Sequence, residues 1–272
     1  AVFVYQRGED GWMQSAAIMS PDTTGESGFG SNLAFDGSDL VISAPQLGSG
    51  AVYIYSQEED SWSEKAMLTN NQAGSRARFG SAMAMRDGHL FVGSPRENTA
   101  TGVVYHYRQD EESGSWYQSG RLMAFDGAPR YLFGSSIAWT DAGLWIGAPN
   151  ADRSRGRIYQ FAQNETGDGW AGVDIVTLPE SSPGDDFAAT LAAEGTVAVA
   201  GLTGADYGAG SAAILEWTDR GEWSAQNIVI GTSDTVLQPV TDGKVECQDG
   251  QAVLFGCDNV DLISFLPVHE IG

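Results

Sequence analysis

Lysine is nearly missing from this chain. Only Lys65 and Lys244 carry an ammonium group. Twelve arginines bring the basic total to 14, against 36 Asp and Glu, for a formal charge of −22. Nucleic acids and anionic lipid surfaces are held through lysine and arginine set against phosphate, so neither is expected as a partner. Cysteine is scarce too, confined to Cys247 and Cys257. A close pair of cysteines in an acidic chain leans towards an oxidising compartment. No apolar run reaches the ~18 residues of a membrane-crossing helix, so no membrane insertion is expected. No stretch carries the 3.6-residue apolar period of an amphipathic helix.

Residues of familiar chemistry are equally thin. The chain has no G-x-S-x-G elbow, no G-x-x-x-x-G-K-[ST] phosphate loop and no H-E-x-x-H helix. Its three histidines, His89, His106 and His269, read as surface or edge residues of different units, with no cysteine or Asp pair beside them. Asp185 and Asp186 are neighbours, which points them to different faces of an extended chain, a poor arrangement for glycoside hydrolysis. The sequence predicts no catalytic residue, no metal and no cofactor.

What the chain does have is 35 glycines and a repeat. Phe29–Tyr55 reads FGSNLAFDGSDLVISAPQLGSGAVYIY. The pattern returns from Phe79 to Tyr107, from Phe133 to Phe161 and, worn, from Phe187 to Trp217, at steps of 50, 54 and 54 residues. A period of that size marks an array of small supersecondary units. In the second copy the sequence predicts a strand over Phe79–Met85, a hairpin turn at Asp87-Gly88, a buried strand at Leu90-Phe91-Val92, a strand over Val103–Tyr107 and a closing strand ending near Met123. Trp12, Trp62, Trp116, Trp170 and Trp223 form a second ruler, stepping by 50, 54, 54 and 53. A tryptophan present in every unit reads as a structural anchor at the start of the outer strand. The fold class is therefore all-β: a β-propeller of four-stranded antiparallel blades.

The blades fall at about 25–70, 75–124, 129–179 and 183–231, with a half blade at 1–20, so that 1–240 is the propeller. The half blade supplies only a third and a fourth strand. Either Thr235–Val240 and Lys244–Cys247 complete it and close a five-bladed ring, or further blades lie upstream in a longer, larger propeller. The absence of FG or GAP signatures in the closing candidates favours the larger propeller.

Phe29-Gly30, Phe79-Gly80 and Phe133-Gly134, with Ser43-Ala44-Pro45, Gly93-Ser94-Pro95 and Gly147-Ala148-Pro149, resemble FG-GAP repeats, the blade type of integrin α-subunits and of many bacterial and protist surface proteins. The G-x-V-Y-x-[YF] and W-x-x-x-A-x-L strands, here Gly50–Tyr55 and Trp62–Leu68, are similar to the short bacterial variety. Integrin-type blades carry a calcium loop, D-x-D-x-D-G-x-x-D, in the first hairpin, because a hard cation needs several converging oxygens. The corresponding hairpins here, FDGSDL, MRDGHL, TDAGLW and AEGTV, hold at most two carboxylates. The resemblance implies the architecture without the calcium sites. The acidic clusters Glu58-Glu59-Asp60, Asp110-Glu111-Glu112 and Asp185-Asp186 read as solvated loop tips.

Residues 241–272 read as a separate C-terminal segment pinned by a Cys247–Cys257 disulfide. Residues 246–272 also resemble the opening of a choice-of-anchor B, LVIVD-type, surface domain, which implies an intrachain partner domain.

The functional expectation is a non-enzymatic extracellular or cell-surface adhesion module, a scaffold within a larger surface protein or filament, with a carbohydrate-binding propeller as the alternative. The loops after the GAP strands, Gln46–Ser49, Arg96–Thr101, Asn150–Arg155 and Thr203–Ala209, are expected to form one rim. There Arg96, Asn98, Asn150, Arg153, Arg155, Asp206 and Tyr207 would meet a protein or glycan ligand. Equally, self-assembly could complete the open edges. Asn164-Glu165-Thr166 is a glycosylation sequon, so Asn164 is a modification site if a eukaryotic secretory host makes the chain.

Overall fold

A computed structural model describes residues 1–8, 11–22, 25–58, 61–70, 74, 76–141, 143–164, 166–167, 169–217, 223–230, 251–252 and 255–256. The chain divides into two compact units, Ala1–Ile228 and Val229–Gly272.

The first unit is a run of antiparallel meanders. The strand pair β1 (Val2–Gly8) and β2 (Gly11–Ile18) is followed by four sheets, each of four strands in sequence order. Blade 1 holds β3 (Leu33–Phe35), β4 (Asp39–Ala44), β5 (Ala51–Glu58) and β6 (Ser61–Thr69). Blade 2 holds β7 (Met83–Arg86), β8 (His89–Ser94), β9 (Val103–Gln109) and β10 (Trp116–Leu122). Blade 3 holds β11 (Ser136–Thr140), β12 (Gly143–Ala148), β13 (Arg157–Gln163) and β14 (Trp170–Val176). Blade 4 holds β15 (Phe187–Glu194), β16 (Val197–Leu202), β17 (Ser211–Trp217) and β18 (Trp223–Ile230), the last of which reaches past Ile228. In the second unit β19 (Gln251–Ala252) pairs with β20 (Phe255–Gly256); Cys247 and Cys257 lie outside the described residues.

The turn chemistry explains the first hairpin of blade 2. Asp87 at φ 51° and Gly88 at φ 71° both sit in the left-handed region, as a two-residue type I′ turn requires. Leu90, Phe91 and Val92 are fully buried, since a strand between two sheets is apolar on both faces. The expected strand over Phe79–Met85 is shorter than its sequence suggests. Phe79 and Gly80 form a turn and pairing starts at Met83. The reason is that Phe79 is used elsewhere: its ring fills the seam with blade 1.

Each seam repeats one recipe. The trailing face of one blade gives small or branched side chains, such as Val41, Val52 and Ile54 of blade 1. The leading face of the next gives Leu90, Val92, Tyr105 and Tyr107. Leu144, Ile146, Tyr159 and Phe161 repeat the leading set in blade 3. A tryptophan closes each seam from the outer strand: Trp62, Trp116, Trp170 and Trp223 are partly buried against the four cores. The strand pair β1–β2 has the same leading residues, and among the described residues no sheet lies against them. Phe3, Tyr5 and Trp12 are 54%, 53% and 69% exposed, where Tyr105 and Tyr107 are each 5%.

Candidate functional site

The rim expected from the GAP strands is a set of latches between blades. Three four-residue turns follow the second strands: α1 (Glu97–Ala100), α2 (Ala151–Ser154) and α3 (Ala205–Gly208). The first two are left-handed. Asn98, Thr99 and Ala100 have φ of 50°, 57° and 62°, and Asp152, Arg153 and Ser154 have 51°, 61° and 63°. Left-handed geometry costs an L-residue about 1–2 kcal/mol, and consecutive residues in it are rare. Here it turns carbonyls towards the next blade. Leu132 N–H donates to Ala100 O at 2.9 Å and Phe133 N–H to Thr101 O at 3.0 Å; Asp186 N–H donates to Ser154 O at 2.8 Å and Phe187 N–H to Arg155 O at 3.2 Å. In blade 1 a shorter loop does the same, Phe79 N–H reaching Ser49 O at 2.9 Å. Such bonds stabilise by about 1 kcal/mol each and offset part of the strain.

A glycine follows each latch because the next Phe passes over it. A Cβ on Gly50, Gly102 or Gly156 would lie 2.1, 2.0 or 2.0 Å from the carbonyl oxygen of Phe79, Phe133 or Phe187.

The predicted rim residues separate on this frame. Arg96, Asn98 and Arg153 are exposed on the latches, while Asn150 and Arg155 are half-buried. Asn150 N–H is bonded to Tyr131 O, and Arg155 O accepts both Phe187 N–H and the Ser181 hydroxyl. Asp206 and Tyr207 fall within α3. Glu97 anchors the α1 latch from inside. Its carboxylate accepts Tyr105 OH at 2.7 Å and Asn70 Nδ2 at 3.0 Å, and burial together with this bond pushes the Tyr105 hydroxyl up to about 12. Asp185 and Asp186 are not solvated tips. Both are half-buried; Asp185 accepts Ser182 N–H at 2.6 Å, and desolvation raises the carboxyl of Asp186. Asn164 is exposed in the β13–β14 hairpin.

Two of the histidines are not surface residues of separate units, and His269 lies outside the described residues. His89 and His106 belong to one blade and touch: Nδ1 of His89 lies 2.8 Å from Nε2 of His106. His106 is buried, stacked on Phe91 at 4.5 Å, with Trp170 edge-on at 6.3 Å. Burial first, then His89 and Arg108, lower the His106 ring to about 4; burial and Arg108 lower His89, partly countered by Asp87. The signal was present in the sequence. Phe91 pairs with His106 across β8–β9, so His89 is its diagonal neighbour.

No protein-family profile matches the chain, and no curated protein matches it. Among solved structures it is similar to the crystal structure of a protein from Lactobacillus plantarum, with a TM-score of 0.53 and 14% identity. The match covers 84% of this chain and 64% of that one, so the chain spans less than two thirds of its neighbour's length. The fold is that of a β-propeller. At this identity the likeness concerns fold alone, and function has to be argued from the site.

Proposed function

We propose that the chain is a non-enzymatic interaction module of the short FG-GAP type, displayed outside the cell, that meets a protein or glycan ligand on its latch rim. The observation that carries this is the pair of rigid left-handed latches, which hold Arg96, Asn98, Asp152 and Arg153 exposed at the same end of successive blades. A loop fixed by hydrogen bonds to the next blade presents side chains without losing much entropy on binding. Positive charge is scarce in this acidic chain and is carried almost wholly by arginine, whose guanidinium recognises carboxylate and sulfate in a planar, bidentate manner. The favoured ligand is therefore an anionic glycan or an acidic protein segment.

Arrays of sulfated, sialylated and neutral glycans, with pull-downs from cell surfaces, test this with Arg96→Ser and Arg153→Ser. Loss of capture with an unchanged melting temperature is expected; unchanged capture removes the rim from consideration. Arg155 is a poor probe, being half-buried beside latch bonds. The resemblance of residues 246–272 to a following surface domain supports a place in a larger surface protein.

A further inference from the structure

At the opposite end of the blades from the latches, the seam between blades 1 and 2 holds a polar cleft of about 670 Å³, lined by Ser38, Asp39, Ser56, Gln57, Lys65 and Gln109. Asp39 is its buried floor. One carboxylate oxygen accepts the Ser56 hydroxyl; the other faces Lys65 Nζ at 3.5 Å and Gln109 Nε2 at 3.3 Å. Gln109 comes from blade 2 and also donates to Gly114 O at 3.2 Å, so the two blades meet on this carboxylate.

The repeat supplies its own control. At the place of Asp39 the other blades have His89, Gly143 and Val197, and at the place of Ser56 they have Arg108, Ala162 and Glu216. Those positions are closed by the stacked histidines in blade 2 and, in blade 3, by backbone: a Cβ on Gly143 would meet Phe161 O at 2.3 Å. The fold therefore works without a carboxylate at this point, and burying one is costly unless it is well paired.

We propose that this cleft is a second binding site, independent of the rim, for a neutral polyhydroxylated ligand: one or two sugar units of a glycan. Neighbouring sugar hydroxyls need donors and acceptors alternating at close range. The ammonium of Lys65, the amide of Gln109, the carboxylate of Asp39 and the hydroxyl of Ser38 supply them. The long contacts from Lys65 and Gln109 to Asp39 can each be exchanged for a shorter one to an inserted hydroxyl. Lys65 and Asp39 cancel in charge, which disfavours phosphate and cationic ligands alike, and the cleft size lies in the range of small-ligand sites.

The test is a ¹⁵N NMR titration of the whole chain with glucose, galactose, mannose and N-acetylglucosamine, and separately with glycerol and inorganic phosphate. Saturable shifts at Gly37, Ser38, Gly114 and the Gln109 side-chain amide are expected with at least one sugar. Lys65→Met should weaken them by at least about tenfold, the loss of a charge-assisted hydrogen bond, while resonances outside the cleft stay those of the folded parent; the melting temperature should fall, because the buried Asp39 loses its cationic partner. Asp39→Asn is the stricter variant; if it does not fold, Lys65→Met decides alone. No saturable shift with any sugar, shifts that survive Lys65→Met, equal binding of glycerol (an adventitious additive only) or tighter binding of phosphate would each overturn the assignment.

Discussion

Nδ1 of His89 and Nε2 of His106 share a hydrogen bond of 2.8 Å inside the seam between blades 2 and 3, in rings parallel to within 2°. One nitrogen donates and the other accepts, so the bond exists only while the accepting ring is neutral. The charged groups around it are Arg108, Asp87 and Arg86, the last lying over Trp139 at 5.3 Å; Phe91, Trp139 and Trp170 close the rest. In the unfolded chain a histidine takes up its proton near pH 6.5. In the fold His106 resists until about pH 4. The unfolded state then binds more protons across this window, and stability is lost as pH falls from 6.5 towards 4. We expect the loss to be on the order of 1–2 kcal/mol after allowance for solvent screening. Gln160 occupies the place of His106 in blade 3, so His106→Gln is a substitution already accommodated by the repeat. Chemical denaturation at pH 7 and pH 4.5 should show a smaller pH dependence for His106→Gln than for the parent chain; identical curves would disprove the role.

Gly102 and Gly88 separate crowding from strain. Both have positive φ, at 93° and 71°, but a Cβ on Gly102 would strike Phe133 O at 2.0 Å, whereas Gly88 has open space. Gly88→Ala should cost about 1 kcal/mol, the strain of a left-handed alanine. Gly102→Ala should cost at least about 3 kcal/mol, because backbone on both sides must move. Thermal denaturation of the two variants checks the ordering, and equal losses would show that the latch glycine is chosen for φ alone.

These two cases also show what a sequence of this kind reveals. The Asp87-Gly88 turn, the buried Leu90-Phe91-Val92 strand and the tryptophan ruler were legible because hairpin chemistry and alternating burial are local. The bond from Phe79 N–H to Ser49 O and the crowding of Gly50 were not, since they join residues about thirty positions apart through a turn that has no strand signature. FG looked like the start of a strand because phenylalanine favours strands; its ring is instead committed to the preceding blade. Asp39 was hidden for the opposite reason. A lone aspartate beside a DG turn reads as loop polarity, and only the three-dimensional seam brings Lys65 and Gln109 to it.

The tryptophans should not be equal. Trp170 packs against Phe91, Trp139 and His106 at ring distances of 5.1, 5.4 and 6.3 Å, while Trp12 is 69% exposed. Truncating a packed aromatic side chain costs about 3–5 kcal/mol, and an exposed one rarely costs more than 0.5. Denaturant melts of Trp170→Ala and Trp12→Ala should differ accordingly. A large loss at Trp12 would mean that another segment or chain covers Phe3, Tyr5 and Trp12 in solution.

Two side chains that cross between blades report whether the seams act independently. Asn32 crosses from blade 1 to blade 2, its Nδ2 donating to Gly80 O at 3.2 Å and Ser81 O at 2.9 Å; Ser136 crosses from blade 3 to blade 4, its hydroxyl donating to Ala188 O at 2.7 Å. Ala82 holds the corresponding place in blade 2, so alanine is compatible with the fold at this position. Each of Asn32→Ala and Ser136→Ala should cost about 1–2 kcal/mol, since carbonyls that accepted a side chain lose that partner. The two sites share no seam, and distant sites add to within about 0.5 kcal/mol. Denaturant titrations of the two single variants and the double variant form the cycle. A sum that holds makes each seam a separate unit of stability, as expected of a nearest-neighbour array. A double variant that loses more than the sum would show that the blades unfold together, with strain passed from the seam of blades 1 and 2 to that of blades 3 and 4 through the latches.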